Sequence, residues 1–175
     1  IDVKSGLPDN NVRSMLETRS PSGSVYWFGT AGGLARFENN RWTVYDSSNS
    51  ALPTNNVETI LESASPDGRK RIWAGTNGGL ILIEDGRWKI YNTENSGLPD
   101  DHVMSLCETA SKEGGRKLWV GTWKGLACFE NGSWLVYDTS NSALPHNRVE
   151  AVLQTKSKGG RSALWVGTFG GGLTR

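Results

Sequence analysis

An all-β fold built from about four copies of one four-stranded unit is what this sequence predicts, and three observations predict it. Trp-x-Gly-Thr recurs at Trp27–Thr30, Trp73–Thr76, Trp119–Thr122 and Trp165–Thr168, 46 residues apart each time. Trp-x-x-Tyr recurs at Trp42–Tyr45, Trp88–Tyr91 and Trp134–Tyr137, again at a spacing of 46. Leu-Pro recurs at Leu7–Pro8, Leu52–Pro53, Leu98–Pro99 and Leu144–Pro145, at spacings of 45, 46 and 46. Self-similarity at such a period marks a repeat architecture, and no stretch shows the 3.6-residue periodicity of a helical solenoid. Composition agrees: 22 of the 175 residues are Gly and eight are Trp. Tight corners joining strands that carry large apolar side chains would use residues in that way.

Each unit opens on a strand rich in β-branched and apolar residues, at Val12–Thr18, Val57–Ser63, Val103–Thr109 and Val149–Thr155. A glycine-bearing turn follows, at Ser20-Pro21-Ser22-Gly23, Ser65-Pro66-Asp67-Gly68, Glu113-Gly114-Gly115 and Lys158-Gly159-Gly160. The second strand carries Trp-x-Gly-Thr, and a Gly-Gly or Lys-Gly corner leads to a third, such as Gly33–Glu38 or Gly79–Glu84. Asn39-Asn40, Asp85-Gly86 and Asn131-Gly132 then make two-residue turns into the Trp-x-x-Tyr strand. Asn and Gly tolerate the positive φ that a type I′ hairpin demands. The proline of each Leu-Pro cannot donate to a ladder, so the next unit's first strand must start after it. One residue is missing between Glu17 and Trp27, which shortens the first turn.

Four antiparallel strands in about 46 residues, repeated in tandem, describe the blade of a β-propeller. The blades fall at about 6–50, 51–96, 97–142 and 143–175 within one domain. Two motifs, Asn-Ser-Ala-Leu-Pro-x-Asn-x-Val (Asn49–Val57, Asn141–Val149) and Trp-Val-Gly-Thr-x-x-Gly-Leu (Trp119–Leu126), carry a resemblance to two-component regulator propeller repeats, the blades of bacterial sensor proteins. The resemblance spans essentially the whole chain. It implies a non-catalytic input module that senses or binds a ligand, in a periplasmic or extracellular place, although residues 1–5 show no signal peptide. The repeat register aligns Arg175 with Phe129, so the fourth blade is expected to lack its outermost strand, the counterpart of Glu130–Tyr137. Bulky Trp wedges suit a shallow angle between blades, so the chain is expected to be half of an eight-bladed ring that a second copy completes head to tail, the alternative being an excerpt of a longer single-chain propeller.

Other classes find less support. Nineteen basic residues against 18 acidic leave a net charge of +1, too little to draw nucleic acid or anionic lipid. The basic residues cluster in first-to-second-strand turns (Arg69, Lys70 and Arg71; Arg116 and Lys117; Lys156, Lys158 and Arg161) and are read as solvated turn residues. No apolar run spans a membrane, and two cysteines make no disulfide framework. Cys107 stands in a Leu position and is expected to be buried, whereas Cys128 looks incidental. His102 and His146 occupy different blade positions, so neither a metal set nor any cofactor is expected. Glu17, Glu62 and Glu108 recur like structural acceptors, and the Trp of Trp-x-Gly-Thr like core, so no enzyme is expected.

Within a repeat, positions that agree serve the fold and positions that differ are free for a ligand. After Gly-Thr the series runs Ala31, Asn77, Trp123, Phe169, and then Gly32, Gly78, Lys124, Gly170. At the start of each first strand it runs Asn11, Asn56, His102, Arg148, and one residue beyond Val runs Arg13, Glu58, Met104, Glu150. Strand alternation puts these corners and starts on one face. Trp123 beside Lys124 is the leading candidate for recognition of a carbohydrate or peptide, with Asn77, Phe169, His102, Arg148, Arg13, Glu58 and Glu150 around it. The alternative is a recently amplified or engineered scaffold that assembles without a small ligand. A propeller enzyme ranks third.

Overall fold

The computed structural model describes residues 2–21, 23–65, 67–110 and 115–175. Blade 1 comprises β1 (Val12–Ser20), β2 (Gly23–Thr30), β3 (Gly33–Glu38) and β4 (Arg41–Tyr45), and blade 2 comprises β5 (Val57–Ala64), β6 (Lys70–Thr76), β7 (Gly79–Glu84) and β8 (Arg87–Tyr91). Blade 3 has β9 (Val103–Ala110), β10 (Arg116–Thr122), β11 (Gly125–Glu130) and β12 (Ser133–Tyr137). Blade 4 has β13 (Val149–Lys156), β14 (Ser162–Thr168) and the short β15 (Gly172–Thr174). Each sheet is an antiparallel meander in chain order, four strands in blades 1 to 3 and three in blade 4. The third strands match the sequence expectation, and the first strands run one or two residues longer. No helix among the described residues is long and apolar enough to cross a membrane.

The hairpin turns carry positive φ at both central residues: Asn39 and Asn40 (50° and 59°), Asp85 and Gly86 (50° and 74°), Asn131 and Gly132 (50° and 84°). That is the type I′ geometry, whose twist matches the strands it joins. The glycine turns between first and second strands fall partly outside the described residues, at Ser22, Pro66, Glu113 and Gly114.

Two compact units, residues 1–90 and 91–175, each hold two blades. In the first, Val25, Trp27 and Leu34 of blade 1 pack with Val57, Ile72, Ala74 and Ile81 of blade 2. Register explains the facing: Leu16, Trp27 and Arg36 lie opposite one another across the sheet and share a face. In the second unit Leu126, Leu144, Val149, Val152 and Val166 form the core, with Cys107 and Trp119 packed against it. The Leu of every Leu-Pro is buried beneath its link. Fully burying each such side chain contributes about 1.5–3 kcal/mol.

The recurring Trp is core as expected in unit 1, where Trp27 and Trp73 are 7% and 3% exposed. Trp119 and Trp165 are half-buried. Three of the four indoles donate Nε1–H to a hydroxyl on the neighbouring first strand, Trp73 to Ser63, Trp119 to Thr109 and Trp165 to Thr155, each at 3.0 Å.

Two expectations need correction. Cys107 is only half-buried, whereas Cys128 is 2% exposed. Both pair with Trp119 across the sheet, but Cys128 lies in the interior strand and Cys107 on the end strand. Burial pushes both thiols above their usual pKa. The second correction concerns register. Leu173 pairs with Gly167, as Leu126 pairs with Gly121. The fourth corner, Phe169-Gly170-Gly171, is therefore one residue longer, and Arg175 is the counterpart of Cys128 and Arg36, not of Phe129. Its guanidinium lies 5.6 Å from the Trp165 ring, as that of Arg36 lies 5.7 Å from Trp27.

Candidate functional site

The corner after Trp-x-Gly-Thr is set by its threonine. Thr122 is fully buried, donates Oγ1–H to the Gly125 carbonyl at 2.8 Å and accepts the Lys124 amide at 3.3 Å. Thr30 and Thr76 make the same pair of bonds. Gly125, at φ +149°, lets the chain double back, since a Cβ there would stand 2.8 Å from the Tyr137 carbonyl oxygen. Trp123 and Lys124 are thereby presented on a rigid two-residue tip.

The facing start of each first strand is equally built. In every blade the first strand slips by one residue against the second, between Val12 and Ser14, Val57 and Thr59, Val103 and Ser105, and Val149 and Ala151. Such bulges re-aim a side chain. The residues involved are Arg13, Glu58, Met104 and Glu150, the series that the sequence singled out. Start and corner also touch: the Phe169 amide donates to the Arg148 carbonyl at 2.9 Å, and the Ala31 amide to that of Asn11 at 3.1 Å.

In unit 2 these positions assemble into a ladder of rings and cations. The His102 ring lies flat on Trp123, with centroids 3.8 Å apart and planes 4° from parallel. The Arg148 guanidinium stands 4.8 Å from the Trp123 centroid and 4.5 Å from that of Phe169. His146 meets the Phe169 edge at 6.4 Å. Arg148 Nε donates to Glu150 at 2.5 Å. Trp123 remains 40% exposed and Phe169 57%. Each cation–π contact contributes about 0.5–1 kcal/mol at such exposed sites, and a ring pair about 0.5–1.5.

Six of the nine sequence candidates thus converge: His102, Trp123, Lys124, Arg148, Glu150 and Phe169. The other three lie in unit 1 and stay apart from any aromatic tip. Arg13 Nη1 reaches both Glu58 oxygens at 2.7 Å, Asn56 also donates to Glu58, and Asn77 is a half-buried corner residue.

Sequence reasoning singled out neither Asp100 nor His146 for the site, and weighed His146 only as a metal ligand. Asp100 is buried and accepts the His102 amide at 2.9 Å, His102 Nδ1 at 3.0 Å and Lys124 Nζ at 3.3 Å. Burial alone would raise its carboxyl, but the His102 amide, Lys124 and the His102 ring together hold it below the usual carboxylate value. His146 Nδ1 accepts the Arg148 amide at 3.0 Å, as Asp9 accepts that of Asn11. The available signal was the residue after Leu-Pro, which in three of the four blades (Asp9, Asp100 and His146) is a side-chain acceptor two residues before the amide it caps.

The recurring acids are structural acceptors: Glu17 takes the Ser24 hydroxyl, Glu62 pairs with Lys70, and Glu108 with Arg116. The basic turns are largely spoken for, with Arg69 on Asp67 and Asp85, Arg71 on Glu84 and Lys117 on Glu130. Among the described residues, no three His, Cys, Asp or Glu converge as metal ligands do.

Solved structures share this architecture. The chain is similar to the extracellular domain of a hybrid two-component system from B. thetaiotaomicron, at 23% identity and a TM-score of 0.74 over 99% of this chain and 22% of that one. The extracellular domain of a second such system from that organism aligns at 19% identity and a TM-score of 0.47, over 93% of this chain and 26% of that one. Virginiamycin B lyase from Staphylococcus aureus aligns at 16% identity and a TM-score of 0.54, over 90% of this chain and 53% of that one. The chain spans about a fifth of the first neighbour's length. At these identities the likeness concerns the fold. No protein-family model and no curated protein sequence matches the chain.

Proposed function

We propose that this chain is a non-catalytic recognition module, the sensing part of a bacterial regulator, and that the His102–Trp123–Arg148–Phe169 ladder is its binding surface. The ladder carries the proposal. The repeat would tolerate Ala or Asn at these corners, as Ala31 and Asn77 show, yet unit 2 places two exposed aromatics there and clamps a guanidinium between them. Exposed, preorganised rings flanked by polar groups suit a carbohydrate or a peptide. The architecture shared with extracellular domains supports a periplasmic or extracellular setting. Glycan and peptide arrays probed with the chain test the reading: a hit that disappears in Trp123→Ala supports it, and a hit unaffected by Trp123→Ala refutes it.

A second reading, self-assembly, has its own observation. On blade 4, Leu153 and Leu173 are 61% and 64% exposed beside the half-buried Trp165, and on blade 1 Met15 is 73% exposed near Tyr26. Inside unit 1 the matching positions face each other, with Leu16 and Trp27 packed against Ile60 and Ile72. A second copy laying its blade 1 on this blade 4 would repeat that packing, and two copies so joined are the proposed eight-bladed ring. Light scattering that returns twice the 19.1 kDa chain mass supports it, and 19.1 kDa refutes it.

A further inference from the structure

Arg148 is held in an unusual way for a surface arginine. Its Nε is tied to Glu150, and its guanidinium carbon lies over the rings of both Trp123 and Phe169. The two Nη groups make no hydrogen bond among the described residues, and the side chain keeps a third of its surface open. The contrast with unit 1 is internal to the molecule: there Arg13 spends its Nη1 on both oxygens of Glu58. Both arginines are paired with a carboxylate of the chain and both side chains are a third exposed, but Arg13 commits an Nη group to it, whereas Arg148 commits only Nε and keeps both Nη groups for a ligand.

We infer that the ligand of the ladder carries a carboxylate, received by the Nη pair of Arg148, and a flat apolar body that packs along the exposed edges of Trp123 and Phe169. This rests on the reading of the ladder as the binding surface. A guanidinium offers parallel N–H donors matched to a carboxylate, a geometry that an ammonium cannot supply. Clamped before the ligand arrives, Arg148 loses little side-chain entropy on binding. Lys124 stands beside it as a second, exposed cation, kept in place by Asp100. Those two cations and the two acids, Asp100 and Glu150, cancel formally, so selectivity comes from the direction of the donors and not from net charge.

A carboxylate on a flat body can belong to a sugar acid or to the C-terminus of a peptide, and paired probes separate them. Titrations would compare glucuronate with glucose, and N-acetyltryptophan with its amide, against the wild-type chain, Arg148→Lys and Trp123→Ala. The expected result is that at least one acid binds roughly ten times more tightly than its neutral partner. Arg148→Lys should erase that preference, with thermal melts showing the variant folded, and Trp123→Ala should weaken acid and neutral probes alike. Preference for glucuronate assigns the sugar acid, and preference for N-acetyltryptophan assigns the peptide terminus. If acid and neutral forms bind equally and both are lost in Trp123→Ala, the ladder stands as the binding surface and the carboxylate inference falls. Failure of both acids to bind at millimolar concentration, or a preference that survives in Arg148→Lys, also overturns it.

Discussion

Replacing Trp27 and Trp73 by Phe, one at a time, separates the packing role of the repeated Trp from its hydrogen bond. Both lie mid-strand in the same unit, opposite Leu16 and Leu61, and both are buried. They differ chiefly in what the indole Nε1–H meets. Trp73 Nε1 donates to Ser63 Oγ at 3.0 Å, whereas Trp27 Nε1 is buried without an acceptor among the described residues. Thr18, the counterpart of Ser63, is buried nearby but does not accept it. Phe removes the same ring atoms at both sites, a shared loss of about 1–2 kcal/mol of apolar burial. At position 73 the change also orphans a buried hydroxyl, about 1–3 kcal/mol more. At position 27 it removes an unsatisfied N–H, whose desolvation costs about 1–3 kcal/mol in the native state, and that relief offsets the packing loss. The Arg36 guanidinium over Trp27 retains a ring beneath it in Trp27→Phe, so little is lost there. Trp73→Phe is therefore expected to cost roughly 2–5 kcal/mol and Trp27→Phe less than about 1. For a chain of this size each kcal/mol moves Tm by about 2–4 °C. Urea melts followed by far-UV circular dichroism, which does not depend on indole fluorescence, make the comparison. Equal losses, or a larger loss for Trp27→Phe, would refute the reasoning.

Other outcomes follow from the same geometry. Gly29→Ala should destabilise by about 1–3 kcal/mol, because its Cβ would stand 2.9 Å from the Val57 carbonyl oxygen, whereas Gly167→Ala meets only Ala151 at 3.6 Å and should be tolerated; paired urea melts check this. The folded pKa of Asp100 is lowered, so its contribution is present above the unfolded value of 3.8 and lost as pH falls through the lower folded value. The stability gap between wild type and Asp100→Asn should accordingly hold across pH 4.5–6 and shrink below about 3.8; a gap that widens on acidification would contradict the assigned ties. In native protein a thiol reagent should modify half-buried Cys107 before Cys128, and mass-spectrometric mapping that finds the reverse order would show the facing of blade 3 to be wrong.

The sequence by itself determined the unit, its period and its turns, because these are local. Type I′ hairpins at Asn39-Asn40, Asp85-Gly86 and Asn131-Gly132 follow from which residues tolerate positive φ, and the third strands follow from glycine corners a few residues away. It also marked the positions free to vary, since four copies in one chain show where the fold does not insist. Tertiary structure decided what those positions become. Arg13 and Arg148 belong to neighbouring series in the same linear pattern, yet Arg13 gives an Nη group to Glu58, and Arg148 lies over the rings of Trp123 and Phe169. Which partner an arginine finds depends on side chains 21 to 45 residues away that the bulged strand and the buried threonine bring within reach. The same holds for Asp100, whose place after Leu-Pro marked a capping acceptor but not its ties to the His102 ring and Lys124, and for the longer fourth corner, where only the pairing of Leu173 with Gly167 shows the extra residue. Local preferences act through one residue's backbone and its immediate neighbours, whereas the ladder is made by packing two blades together, and that information exists only once they are packed.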